Sequence, residues 1–206
     1  MIKLFGRHNS DNCNKATWCL GELELKFDMV LTGRGHSSPD SADFLALNPN
    51  GLVPVLDDDG FILWESNTIV RYLAAKYGPY ELYPTAVQDR SECEKWMDWQ
   101  TNRLEQPLAT IQWNLLRYRE QECDHDAVSN AAKQLSRCFR VLDEQLRERK
   151  FVAGDQFTVG DIPAGVMVYR WLSLAIERPR FIHLQNWYDR LTQRSAFREY
   201  VMVPLS

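Results

Sequence analysis

The 206-residue chain has no Cys-x-x-Cys pair, only four histidines, and no apolar run longer than a few residues. Each shortage removes a class of protein. Five cysteines, Cys13, Cys19, Cys93, Cys123 and Cys138, are an odd number without paired spacing, which argues against a disulfide scaffold. The histidines His8, His36, His125 and His183 carry no metal-ligand spacing, so no metal is expected. No segment is long and apolar enough to span a bilayer. The opening Met1-Ile2-Lys3-Leu4-Phe5-Gly6-Arg7-His8 turns polar before a signal-peptide core forms. A soluble cytoplasmic protein without membrane association is expected. Lysine and arginine number 24 against 28 aspartates and glutamates, a net charge of −4, and the basic residues are too scattered to neutralise a phosphate backbone. Nucleic acid is therefore not an expected partner. What is plentiful is core material, since 45% of the residues are hydrophobic against 25% charged. That balance matches a globular chain and excludes disorder.

The chain changes character near residue 78. Residues 1–78 alternate strand and helix, 79–86 read as a linker, and 87–206 read as helix throughout. The Pro79 and Pro84 pair, after Gly78, stops any helix from running across. In the first part Ile2–Phe5 is a strand, and a helix follows Ser10 with Ala16, Cys19, Leu20 and Leu23 on its apolar face. Phe27–Leu31 is a second strand, parallel to the first because a helix connects them. A short helix at Phe44–Leu47 precedes a hairpin of Val53–Leu56 and Phe61–Trp64 about the turn Asp57-Asp58-Asp59-Gly60. Glu65-Ser66 then open a helix with Ile69, Val70, Leu73 and Ala74 facing inward. The order βαβαββα is a thioredoxin-like α/β domain, and the remainder is an all-α C-terminal domain.

That second part begins with a long helix carrying Trp96, Trp99 and Arg103, kinked at Pro107 and running through Trp113 to Tyr118. Val128, Ala131, Leu135, Cys138, Leu142 and Leu146 form the apolar stripe of the next helix. In Phe157-Thr158-Val159-Gly160-Asp161-Ile162, Thr158 is placed as N-cap, Asp161 reaches back to it, and Phe157 meets Ile162 as a staple. The role of that segment is structural. Leu184, Trp187, Tyr188 and Leu191 mark one more amphipathic helix.

Three features of the first part bear on chemistry. The loop after the first strand reads Ser10-Asp11-Asn12-Cys13, and serine at its head excludes internal disulfide exchange. A hydroxyl and an amide beside a helix N-terminus are instead donors suited to a thiolate brought by another molecule. Asn12 serves either as a second donor or as a helix cap. Val53-Pro54, if the bond is cis, offers the valine N–H and C=O to a peptide lying alongside. Glu65-Ser66 at a helix mouth offers a carboxylate for an ammonium and a hydroxyl plus free N–H groups for a carboxylate. Thiol site, backbone rail and zwitterion clamp together describe a pocket for a γ-glutamyl tripeptide.

Four segments carry a resemblance: Ser10-x-Asn12-x-x-Lys15, Asn48-Pro49-Asn50-Gly51-Leu52-Val53-Pro54-Val55-Leu56, Glu65-Ser66-Asn67-Thr68-Ile69-Val70-Arg71-Tyr72-Leu73, and Phe157–Ile162. In this order they resemble the glutathione S-transferase family over residues 2–200, and most of all its bacterial serine-type (theta/nu-like) cytosolic members. The resemblance implies that Ser10 contacts the glutathione sulfur, that Val53 pairs with the cysteinyl backbone, and that Glu65 and Ser66 hold the γ-glutamyl end. It also implies a homodimer using glutathione as co-substrate against a small electrophile. Leu52 and Gly160 depart from the family pattern, and the first leaves the glycyl carboxylate to Arg34 or His36. Trp113, Leu116, Tyr118 and Trp171 are candidates for the electrophile pocket. Two alternatives stay open beside the transferase: a glutathione-dependent reductase, dehalogenase or isomerase in which Cys13 or a different second step takes over, and a non-catalytic interaction module.

Overall fold

The computed structural model describes residues 1–205. The chain divides into two compact units, and the first takes in Met1–Pro79 together with Ala196–Val203. Its strands are β1 (Ile2–Gly6), β2 (Phe27–Leu31), β3 (Val55–Asp58) and β4 (Phe61–Trp64), and its helices are α1 (Asp11–Glu22), α2 (Ala42–Leu47) and α3 (Ser66–Tyr77). The sheet order is β2-β1-β3-β4, with β1 parallel to β2, and β3 antiparallel to both β1 and β4. This is the βαβαββα order read from the sequence.

Asp58 pairs with Phe61, so the hairpin turn is two residues, Asp59-Gly60, rather than four. Both have positive φ, 51° and 93°, the combination a tight twisted hairpin requires. The tightening carries Asp58 into the interior. There Tyr72 Oη (2.7 Å), Tyr77 Oη (2.9 Å) and Lys76 Nζ (2.6 Å) all donate to its carboxylate, tying β3 to α3. Burial acts to raise the Asp58 carboxyl, but the bonds from Lys76, Tyr72 and Tyr77 prevail and hold it below the usual carboxylate range.

The sequence expectation left the C-terminal tail with the helical part, whereas helix α9 (Ser195–Tyr200) joins the first unit over Ala196–Val203. Phe197 meets Trp18 edge to face with ring centres 4.7 Å apart, and the Tyr200 carbonyl accepts from Asn14 Nδ2 at 2.7 Å. Gly21 makes room for the tail, since a Cβ there would lie 2.5 Å from the Tyr200 ring.

The second unit spans Tyr80–Ser195 and holds α4 (Val87–Arg103), α5 (Glu105–Leu116), α6 (His125–Gln145), α7 (Asp161–Ser173) and α8 (Ile182–Thr192). The long helix expected through residue 118 is two helices. Pro107 has no N–H to give the Arg103 carbonyl and its ring crowds that oxygen, so the break falls at Leu104, one turn before the proline. On α6 the buried residues are Ala131, Leu135, Phe139 and Leu142, so Phe139 and not Cys138 continues the core stripe. A step of four after Leu135 keeps the helical phase better than a step of three, and the larger ring fills more space.

The start of α7 is organised around Asp161, which is fully buried. Its Oδ1 accepts from Val152 N and Trp187 Nε1, both at 2.9 Å, and its Oδ2 accepts from Thr158 N at 2.9 Å and Thr158 Oγ1 at 3.3 Å. Thr158 Oγ1 in turn accepts from Gly160 N at 3.3 Å. Glycine at 160 has a local reason, because a Cβ would meet the Cys93 carbonyl oxygen at 2.9 Å. No helix among the described residues is long and apolar enough to cross a membrane.

Candidate active site

The loop between β1 and α1 is fixed from three directions. Ser10, 8% exposed, is the N-cap of α1, and its Oγ accepts from Cys13 N at 3.4 Å. Asn14 Nδ2 donates to the His8 carbonyl at 2.7 Å as well as to Tyr200. Asn12 is not the cap: its Oδ1 accepts from Ser66 Oγ at 3.2 Å across 54 residues of sequence. That bond joins the loop at the start of α1 to the first turn of α3. The electropositive ends of α1 and α3 are therefore neighbours.

Capping does not exhaust the Ser10 hydroxyl. An alcohol has two acceptor lone pairs and one proton, so accepting from Cys13 N leaves the O–H to donate. Cys13 itself is packed inside, and Gly6 is glycine because a Cβ there would lie 2.5 Å from the Cys13 sulfur. Burial pushes the Cys13 thiol up, against the opposing influence of the nearby Ser10 and Arg7. Such a thiol stays protonated at neutral pH and is a poor nucleophile.

The Val53–Pro54 peptide bond is cis. Sheet pairing in β3 begins at Val55, so the Val53 backbone lies outside the ladder. The approach to it is built by Asn48, whose Nδ2 donates to the Leu52 carbonyl at 2.7 Å and whose Oδ1 accepts from Asn50 N at 3.1 Å. Leu52 points outward at 66% exposure. Glu65 precedes α3 with φ 73° and ψ 110°, a strained conformation for a residue bearing a Cβ. It makes no side-chain cap, so its exposed carboxylate is not consumed in holding the helix. Ser66 is buried beside it.

Arg34 and His36 sit in an exposed loop closed by Gly33 N to Ser37 O at 2.9 Å and His36 N to Gly33 O at 2.8 Å. A Cβ on Gly33 would lie 4.0 Å from Val53 Cγ2, which puts this loop beside Val53. In the helical unit Trp113, Leu116 and Tyr118 are exposed at the end of α5, with the Trp113 and Tyr118 rings 6.1 Å apart and the Arg117 guanidinium 4.4 Å over Trp113. Trp171 does not join them. It is 1% exposed and packs on Phe139 at 5.3 Å, so the sequence expectation for this residue is corrected to a core role. Arg103 is exposed at the end of α4.

Sequence reasoning missed Asn14 and Asn48, the two amides that shape these loops. A signal existed for Asn14, because asparagine inside a helix is unfavourable unless its side chain has work to do. The described residues contain no group of three or more His, Cys, Asp or Glu able to hold a metal ion.

The chain thus comprises a thioredoxin-like unit, with serine heading its first helix, a cis proline before β3 and a strained residue opening its third helix, and a helical unit. Comparison with known proteins makes this specific. Residues 4–89 match the model of the glutathione S-transferase N-terminal domain, and residues 108–195 match that of the C-terminal domain. The chain is 43% identical to glutathione S-transferase GstB of Escherichia coli over all of both chains, and 31% identical to glutathione S-transferase 3 of Zea mays, covering 99% of this chain and 95% of that one. Among solved structures, the theta-class glutathione S-transferase of Xanthomonas axonopodis pv. citri with glutathione bound superposes with a TM-score of 0.96 at 40% identity, covering 100% of this chain and 99% of that one. The chain belongs to the glutathione S-transferase family, and its activity is that of a glutathione transferase.

Proposed function

We propose that Ser10 donates its hydroxyl proton to the sulfur of glutathione, that the Val53 backbone pairs with the cysteinyl residue, and that Ser66 and Glu65 hold the γ-glutamyl carboxylate and ammonium. The observation that carries this reading is the Ser66 to Asn12 bond at 3.2 Å, which brings the proposed clamp beside the proposed sulfur seat. Arg34 or His36, on the loop next to Val53, takes the glycyl carboxylate.

The energetics are modest. A thiol with the reference pKa of about 8.5 is roughly 3% thiolate at pH 7, and lowering it by about 2 units makes most of it thiolate. Those units amount to about 2.7 kcal/mol. One hydrogen bond to a charged group contributes about 1.5–3 kcal/mol and a helix N-terminus about 0.3–1 more, so Ser10 and α1 suffice without a general base. The thiolate attacks an electrophilic carbon of a small second substrate, forming a C–S bond as the leaving group departs or as a conjugated system takes up the electron pair. The enzyme works as a cytoplasmic homodimer, which light scattering after size exclusion tests.

Conjugation assays on Ser10→Ala beside Cys13→Ala test the assignment. The reading requires loss of conjugation in the serine variant and retention in the cysteine variant, whereas the opposite pattern moves the chemistry to Cys13. Retention on immobilised glutathione, lost in Glu65→Ala or Ser66→Ala, speaks against a module that lacks the glutathione contacts, whereas binding without turnover across many electrophiles favours a non-catalytic module.

A further inference from the structure

One stripe of α1 carries two residues that disfavour a helix. Asn14, Trp18 and Gly21 follow one another at steps of four and three, so they share a face, and asparagine and glycine there each weaken a helix relative to alanine. The docked tail accounts for both. Gly21 leaves the space that the tail occupies, since a Cβ there would lie 2.9 Å from the Ala196 Cβ and 2.5 Å from the Tyr200 ring. Trp18 packs on Phe197, and the Tyr200 ring also leans on Phe27 with centres 6.0 Å apart. Asn14 takes the tail's main chain, its Nδ2 donating to the Tyr200 carbonyl at 2.7 Å.

What sets Asn14 apart is its second bond, from the same Nδ2 to the His8 carbonyl at 2.7 Å. An amide nitrogen has two protons, so one goes to the tail and one to the turn Arg7–Ser10. Both acceptors are carbonyls, which fixes the nitrogen end of the amide toward them. The turn ends in the serine: Ser10 N donates to the Arg7 carbonyl at 3.3 Å, and the Ser10 carbonyl accepts from Asn14 N at 2.8 Å. Asn14 therefore holds Ser10 by its main chain and, two residues earlier, the Ser10 turn by its side chain. Through that one buried amide the tail reaches the loop that carries the hydroxyl.

We propose that Asn14 and the docked tail, residues 196–203, are positioning elements for Ser10, setting the direction of its hydroxyl and so the acidity of the glutathione sulfur. The inference rests on the reading of Ser10 as donor to that sulfur. Neither Asn14 nor the tail acts on the sulfur itself. A hydrogen bond weakens steeply as its distance and angle depart from ideal, and a displacement of about 1 Å at a reacting centre can cost about 100-fold in rate. A tail that shifts draws the Asn14 amide with it, the His8 carbonyl follows, and Ser10 moves at the end of the turn.

The test compares Asn14→Ala, Gly21→Ala and the double variant with the parent, and takes Ser10→Ala as reference. Gly21→Ala pushes on the tail from the far end of α1 and leaves the Ser10 turn untouched. Two readouts are taken where circular dichroism shows a folded chain: ultraviolet titration of the thiolate in the glutathione complex, and conjugation to 1-chloro-2,4-dinitrobenzene below the parent's thiolate midpoint. Each single variant should raise the midpoint by about 0.5–1 unit and lower kcat about three- to tenfold, with the KM for glutathione within about twofold of the parent. The double variant should show no more than the larger single effect, because without the Asn14 amide the tail has no hold on the turn. If Asn14→Ala does not fold, the Gly21→Ala midpoint decides alone. A Gly21→Ala midpoint within about 0.2 unit of the parent while Ser10→Ala moves it overturns this inference only, as do fully additive shifts in the double variant. A midpoint that Ser10→Ala also leaves unmoved removes the reading of Ser10, and this inference with it.

Discussion

Asp161 is the residue whose replacement the structure prices most directly. It is fully buried, and each carboxylate oxygen receives two donors. Asp161→Asn preserves the shape but turns one acceptor into an NH2 group facing donors from Val152 and Trp187 or from Thr158. One or two buried N–H groups then lose their partner at about 1–3 kcal/mol each, so a loss of about 3 kcal/mol is expected. For a chain of this length that is a fall in Tm of about 6–12 °C. Circular dichroism melts of parent and variant read it, and a variant melting within about 1 °C of the parent refutes the account. The pH dependence has a definite sign. Burial, working against the bonds from Val152, Thr158 and Trp187, pushes the Asp161 carboxyl up to about 6 from an ordinary 3.8. Between those values the folded chain keeps a proton that the unfolded chain releases, so the contribution is full below pH 3.8 and is lost as pH rises through about 6. The gap between parent and variant therefore widens on acidification from pH 6 toward 4, by up to about 3 kcal/mol. A gap that narrows instead means that the four donors outweigh burial.

Three further outcomes follow from the same geometry. Asp58→Ala leaves two tyrosine hydroxyls and Lys76 without their shared acceptor, and urea denaturation should show a loss of about 1–3 kcal/mol. Because the folded carboxyl lies below its ordinary value, that loss is present at neutral pH and shrinks as pH falls through the folded value; a loss independent of acid contradicts the arrangement. Gly6→Ala places a Cβ 2.5 Å from the Cys13 sulfur and should destabilise by about 1–3 kcal/mol, with much of it restored by adding Cys13→Ala; strictly additive effects in the double variant count against the close approach. Iodoacetamide should label Cys13 far more slowly in the native chain than in urea, and native labelling at the denatured rate contradicts its burial.

Much of the first unit could be read from local signals. Asp59-Gly60 between two apolar runs announces a hairpin, Ser10 before an apolar helical face announces a cap, and the alternation of periods two and 3.6 fixes the element order. Features that depend on distant partners were not legible. Nothing near Tyr200 says that its carbonyl meets Asn14, so the tail was assigned to the wrong company. The inward turn of Asp58 depends on a hairpin one step tighter than its acidic run suggests. At the candidate site, the residue types at Ser10, Val53, Glu65 and Ser66 were visible, while the bond joining Ser66 to Asn12 required the fold. Trp171 misled because an aromatic residue at helical spacing reads alike whether it faces a pocket or a core.

The acidity of the bound tripeptide's sulfur is the property on which the proposed chemistry depends. Ultraviolet titration of the thiolate in the glutathione complex should give an ionisation midpoint about 2 units below that of free glutathione, and Ser10→Ala should return it most of the way toward the free value. A midpoint equal to that of free glutathione in the parent, or one unmoved by the serine substitution, contradicts the claim that this hydroxyl and the start of α1 make the thiolate.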